Sequence, residues 1–527
     1  MRNIKNIYIK SVAAMLVVLG VSCSKTLDIQ PQDRIDSSLA LTTSAGVKAS
    51  FANIYSTLKG ETFYGNRLIG LPEALSDNGQ ATNKSGRYIN EARNISGSHF
   101  NQWSNAYIAL NRINIVLEAL AGIADASDDQ KALWEGELKF LRALYHFDLV
   151  RTYSYIPGAV VTSLDKGGVP LALKAVNTAE SALAIAATPR ATREVVYQAI
   201  YKDLDDAVAK APSLTNAANA VAFGTKEAAQ ALYSRVAIYN KDFAKAVAVS
   251  SPLIASRGAT LLNATNYVAG FSTKQNPESL FEITYGIESE GLGVNLALQT
   301  LFTTLKARQT APKRNQVETA AEPKYPTTET AGFGDLVPTN DLLNALGMTV
   351  VSNGTLTTAG SPGATIVTAR TADVRNLMFE VGSGRRGVIF VESTKFLGRN
   401  GFVNVDNTPV LRIAETYLNR AEAYAEAGAQ QNQALALADV NTIRVARGLA
   451  PAVGLVGTAL IDEIMLQRRC EFAFEGHRFF DLKRRGLPIT KPVSGTVINF
   501  DNFVILPQIP VSDVDASKGL LIQNFGY

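Results

Sequence analysis

Cysteine is almost missing from this chain: among 527 residues there are only Cys23 and Cys470. No disulfide framework can hold the fold, so stability must come from a large buried core, which a chain of this length can build. Histidine is nearly as scarce. His99, His146 and His477 lie too far apart in sequence for ligand spacing, which argues against a histidine–cysteine metal site, and no cofactor is expected. There is no P-loop, and the glycine-rich GSGRRG at residues 382–387 lacks flanking strand and helix patterns, so it reads as a turn. After the first 22 residues, no stretch reaches the roughly 20 apolar residues of a membrane-spanning helix. Strong charge of one sign is also lacking. The formal net charge of +4 falls to +1 once Arg2, Lys5 and Lys10 are set aside, which removes the electrostatic motive for nucleic-acid binding.

Those three cations belong to the first distinct segment. Residues 1–22 combine a basic start, the apolar run SVAAMLVVL and the small residues Gly20 and Ser22, the pattern of a signal peptide. Cys23 follows at the expected cleavage point. The sequence LGVSC resembles a bacterial lipobox, with Gly20 where leucine usually stands, and the resemblance implies that Cys23 is lipidated. Several acyl chains, at about 0.8 kcal/mol per buried methylene, would anchor the chain to outer-membrane lipid. The polar, proline-bearing residues 23–38 then serve as a tether, and residues 39–527 form a single domain with parts at about 39–300 and 301–527.

Within that domain, helical periodicity dominates. Helices are predicted over residues 103–120 and 133–153, after an N-cap at Thr192, and as a pair around Asn240, Lys241 and Asp242. Two more end at Gly428 and Gly448, and a last one runs from about 458 to about 483. Alanines recur at the contact positions of paired helices, as in AAQALYSRVAIYNKDFAKAVAV, which points to tetratricopeptide-type packing. Residues 304–340 and 349–372, rich in Thr, Gly, Ser and Pro, break the pattern and read as loops or short strands. The fold class is therefore mostly α: irregular helix pairs with a second face of long loops.

Paired carboxylates are the one catalytic device the composition leaves open. The densest set lies in RRCEFAFEGHRFFDLKRRG, residues 468–486. Read as one helix, it sets Arg468, Glu471, Glu475, Arg478 and Asp481 three or four apart in a charged ladder. Basic partners would hold these acids ionised, so the segment reads as structural. Gly476 would mark a close packing contact.

The same segment resembles the C-terminal signature of the SusD/RagB family of Bacteroidetes outer-membrane lipoproteins. CSKTLDIQPQDRI, FLRALYHFDLVRTYSYIP, NPESLFEITY, DVR at residues 373–375, TKF at 394–396, PVLRIAETYLNRAEAYAEAG and the ending LIQNFGY are also similar to the family pattern. One departure is Ser154-Tyr155-Ile156 where the family often has Gly-Asp-Val. The resemblance implies a right-handed scaffold of four tetratricopeptide-like units, lipid-anchored in the outer membrane and facing the cell exterior. It implies a non-enzymatic protein that captures oligosaccharides, or peptides in the RagB branch, and delivers them to a SusC-like TonB-dependent transporter. A surface glycoside hydrolase and a bare repeat scaffold are the alternatives.

Sugar sites pair aromatic faces with polar side chains. Trp103 and Trp134 sit inside helical patterns and are expected in the core. The loop LPEALSDNGQATNKSGRYINEARN offers Asp77, Asn78, Arg87 and an exposed Tyr88 as ligand-binding candidates, with a turn-capping Asp77 as the plain alternative. Loops around Tyr267, Phe271 and Tyr285, and around Tyr325 and Phe333, rank below it.

Overall fold

Hydroxyl and carboxylate side chains open several of the helices. The computed structural model describes residues 41–527 except 96–99, 187, 311–312, 318–331, 356–363, 385–386 and 400. The expected leader, Cys23 and tether therefore lie outside the described residues, as do His99 and Tyr325. The principal helices of the first half are α1 (Ser44–Lys59), α2 (Arg67–Ala74), α3 (Trp103–Ala119), α4 (Asp128–Tyr153), α5 (Arg193–Lys210), α6 (Lys226–Tyr239) and α7 (Phe243–Arg257). Thr43, Ser127, Thr192, Thr225 and Asp242 each accept a hydrogen bond from a first-turn backbone N–H, which contributes about 1 kcal/mol per cap. α4 starts before residue 133 because Ser127 caps it and Asp128 and Asp129 favour its positive end. That polar first turn carries no apolar periodicity.

The second half contributes α8 (Ile413–Ala425), α9 (Gln433–Ala446), α10 (Gly457–Glu471) and α11 (Arg478–Arg484). α8 stops short of Gly428, since the backbone turns extended at Glu426. α9 ends as predicted, with Gly448 at φ +82° just beyond it. Neighbours in sequence pack on one another: α3 on α4, α4 on α5, α6 on α7, α7 on α8, α8 on α9. Small side chains make the close approaches. Ala237, Ala246 and Ala423 meet in one apolar cluster, and Ala414, Ala421, Ala425 and Ala436 in another. This is the mostly α, tetratricopeptide-like arrangement that the alanine spacing predicts.

Among the described residues, ten short strands form five antiparallel pairs. They are β1 (Gly79–Ala81), β2 (Ser279–Ile283), β3 (Leu336–Pro338), β4 (Met348–Val351), β5 (Ile366–Arg370), β6 (Phe379–Val381), β7 (Val391–Ser393), β8 (Thr408–Arg412), β9 (Ile489–Thr490) and β10 (Val497–Ile498). β4 and β5 make a hairpin of the Thr/Gly-rich region, and β3 emerges from the other broken region to pair with β1. β2 pairs with β8, setting Ser279 opposite Arg412.

One predicted element is wrong in kind. The helix expected from 458 to 483 is two helices, α10 and α11, joined by a turn at 472–477. Phe474 at φ +62° and Gly476 at φ +83° reverse the chain there. A Cβ on Gly476 would stand 2.3 Å from the carbonyl oxygen of Leu68, so the close contact read from this glycine exists, in a turn and not in a helix. The ladder of Arg468, Glu471, Glu475, Arg478 and Asp481 therefore does not form: Arg468 pairs with Asp481 across the turn, Arg478 with Asp77, and Glu471 and Glu475 share Arg412.

Candidate ligand-binding site

The acids of the C-terminal segment lie inside the protein. Glu471 accepts from Arg447 at 2.9 Å and from Arg412 at 3.0 Å. Glu475 accepts from Lys395 at 2.5 Å and from Arg412 at 2.8 and 2.9 Å. Glu278 takes a further hydrogen bond from each of Arg412 and Arg447, and Arg375 pairs with Asp373 at 2.6 Å and approaches Glu471 at 3.7 Å. Asp481 sits between Arg468 and Arg484, and Arg484 also grips Glu422. These partners come from NPESLFEITY, DVR, TKF, PVLRIAETYL and VARG. Motifs separated by nearly two hundred positions are one buried set of mutual counter-ions.

Burial alone would push the Glu471 carboxyl up, but Arg447 and Arg412 outweigh it and hold the group well below the usual carboxylate range. Asp481 is likewise held down against burial by Arg468 and Arg484. An acid catalyst needs a proton near neutrality and a path to substrate. Glu471, Glu475 and Asp481 are 0%, 6% and 2% exposed, so a substrate does not reach them.

The loop after α2 is divided between scaffold and surface. Arg478 grips Asp77 through two bonds of 2.7 Å, and Arg469 stands 3.5 Å away. Asn78 donates to Glu73 and accepts from Arg469 Nε. Tyr88 is not exposed as expected: its ring is 7% exposed, and its hydroxyl donates to Asn66 Oδ1 at 2.6 Å. The flanking Gly86 and Arg87 gave the look of a free turn, yet Tyr88 at φ +60° folds its ring back onto Gly70 of α2. Arg87 reaches the surface with its guanidinium over the Phe333 ring at 4.7 Å and its Nε on Asp335.

Beside Arg87 opens a cavity of about 310 Å³, lined among others by Glu61, Arg67, Asn90, Glu91 and Asn295. Arg67 lies between Glu61 at 3.2 Å and Glu91 at 3.5 Å, and with Arg87 the lining's two cations balance its two acids. Its lining holds both donor and acceptor side chains, which suits a ligand dense in hydroxyls. Sequence reading reached Arg87 but missed Arg67, Asn90 and Asn295, which have no local motif and meet only in the fold.

Trp103 and Trp134 are buried, as their helical positions predict. Trp134 also lines a larger cavity of about 750 Å³ between α1, α4 and β2. Tyr267, Phe271 and Tyr285, ranked lower, are buried too. Among the described residues, no helix is long and apolar enough to cross a membrane.

A stacked array of helix pairs, with its motif acids locked inside and its clefts edged by loops, defines a helical scaffold whose accessible chemistry lies outside the motifs. The sequence model of the SusD family matches residues 385–527, and a second, described as starch-binding associating with outer membrane, matches residues 27–238. The chain belongs to the SusD/RagB family. It is 26% identical to SusD-like protein P38 of Formosa agariphila over 94% of this chain and 95% of that one. A SusD superfamily protein from Bacteroides thetaiotaomicron shares the fold at TM-score 0.72 and 21% identity, covering 92% of this chain and 99% of that one. A laminarin-binding SusD-like protein does so at TM-score 0.66 and 22% identity, over 92% and 100%.

Proposed function

We propose that this protein is a surface-exposed nutrient-binding lipoprotein that captures oligosaccharides and delivers them, without catalysing a reaction, to a SusC-like TonB-dependent transporter. Residues 1–22 direct export, Cys23 carries the lipid, residues 23–38 form the tether and residues 39–527 bind. The observation that carries the reading is the cavity edged by Arg67, Arg87 and Asn90. It combines balanced charge with convergent amide and carboxylate groups, whereas the acids of the family motifs are buried as counter-ions. Tyr88 lines this site, while Asp77 and Asn78 are held in the scaffold by Arg478 and Arg469. The laminarin-binding relative supports a glycan as the ligand class.

Calorimetry against a panel of neutral oligosaccharides and short peptides tests the ligand class. Asn90 is exposed, so Asn90→Ala should leave folding intact and weaken glycan binding by about fivefold, the worth of one hydrogen bond of about 1 kcal/mol. Binding of peptides and not glycans would replace the ligand class. Affinity purification from solubilised outer membranes should bring down a transporter barrel; its absence would count against delivery.

A further inference from the structure

The large cavity on the helical side has a composition that the scaffold does not explain. Phe51, Tyr55 and Trp134 line it, with Phe223 at its edge. Phe223 is 50% exposed, yet it is held edge-on to the Tyr55 ring at 5.9 Å and 89°. An aromatic side chain left half in water and fixed against a second ring offers a stacking face. Polar groups stand beside these rings. The Tyr55 hydroxyl donates to Glu137 Oε1 at 2.5 Å and accepts from the Gly224 N–H at 2.7 Å. Burial pushes the Glu137 carboxyl up to about 7, against the opposing hydrogen bond from Tyr55, so near neutral pH it can both donate and accept. Ser56 and Ser289 add hydroxyls at the wall.

The cavity also adjoins the first site. Lys59, Gly60 and Leu292 line one, Glu61 and Asn295 the other, so a single ridge of residues 59–61 and 292–295 separates them. Lys59 is fastened on its side of the ridge by Glu290 at 3.0 Å.

We infer that the cavity lined by Tyr55, Trp134, Glu137 and Phe223 is a second sugar-binding pocket, taking a neutral pyranose of the same oligosaccharide whose other end occupies the Arg67–Asn90 cavity. The inference rests on the glycan-binding reading above and extends it to chains long enough to cross the ridge. Apolar C–H faces of the ring lie on the aromatics, and its hydroxyls meet Glu137 and the Tyr55 hydroxyl.

The chain has two tryptophans, and Trp103 is packed away between Tyr107 and Tyr153, so intrinsic emission can report the pocket through Trp134. The full-length chain is titrated with laminarihexaose, maltohexaose and xylohexaose, by calorimetry and by fluorescence. A hexasaccharide that binds should shift the emission, and Trp134→Phe should remove that shift. Phe223→Ala should weaken binding about fivefold with an unchanged melting temperature. Binding that Asn90→Ala weakens, with Trp134 emission and the Phe223→Ala affinity unmoved, would overturn the second pocket and leave the proposed function standing. Emission shifted by a tyrosine-bearing hexapeptide and by none of the sugars would overturn the sugar in favour of a peptide. Failure of all three sugars to bind would overturn both readings.

Discussion

Arg478 and Asp77 are 401 positions apart and share two parallel hydrogen bonds of 2.7 Å, Nε to Oδ1 and Nη2 to Oδ2. The pair ties the C-terminal signature to the loop after α2. Thr339 bonds the carbonyls of Asp77 and Asn78, so the same point also holds the β1–β3 pair. Both side chains are mostly covered, Arg478 at 13% and Asp77 at 17% exposure.

Asp77→Ala should therefore act on stability first. It leaves Arg478 and Arg469 facing each other without their shared acid, at a cost of about 3 kcal/mol. A lowered urea midpoint is the expected result. A variant that keeps its midpoint and loses glycan affinity would place Asp77 in the binding site instead.

Glu475→Gln tests the buried network at an acid shared by two cations. Lys395 and Arg412 both donate to Glu475, and both also reach Glu471 through its backbone or side chain. Removing one negative charge leaves these cations under-compensated, again at about 3 kcal/mol. Glycan affinity of the folded fraction should be unchanged. Loss of a hydrolytic activity at an unchanged melting temperature would contradict the structural role.

Cys23→Ala tests the anchor. The variant should leave the membrane fraction while keeping the melting temperature of the lipidated chain, because the proposed tether carries no core. Retention of the variant in the outer-membrane fraction would mean a second anchor.

Helices were legible where one face is apolar. Thr192 and Gly448 were readable as a cap and a stop because each acts through its own backbone. The turn at 472–477 was not readable, since helical spacing of charges on both sides of it mimics one helix. Only the carbonyl of Leu68 against Gly476 shows why the chain must reverse there. Tyr88 failed for a related reason: a polar neighbourhood in sequence says nothing of a ring that folds back onto α2. The charged motifs were recognisable one by one, but their physical role is pairwise. Glu278, Lys395, Arg412 and Arg447 acquire meaning only as counter-ions of Glu471 and Glu475. The Arg67–Asn90 cavity joins three segments far apart in sequence, around 61–67, 86–91 and 295–301, so no one stretch marks it.

His146 supplies a pH prediction whose sign is fixed by geometry. The ring is 1% exposed on α4. Its Nε2 accepts from the Ala172 N–H at 3.3 Å, and its Nδ1 lies 3.1 Å from the Arg142 carbonyl, so the neutral ring protonated at Nδ1 satisfies both contacts. A second proton would have to sit on Nε2, against the Ala172 N–H. Burial lowers the group to about 4; nearby Asp203 pulls it up, while Arg142 pushes it down. The unfolded chain binds the proton near 6.5, above the folded value, so the stability from neutral His146 is present above pH 6.5. It is lost as pH falls toward 4, by about 3 kcal/mol in all. His146→Gln removes the titrating group while leaving the other acids to titrate as before. The stability deficit of this variant, measured by urea unfolding, should therefore be largest at pH 7.5 and shrink by about 2 kcal/mol by pH 4.5. A deficit that stays constant across that range would show that His146 titrates alike in the folded and unfolded chains.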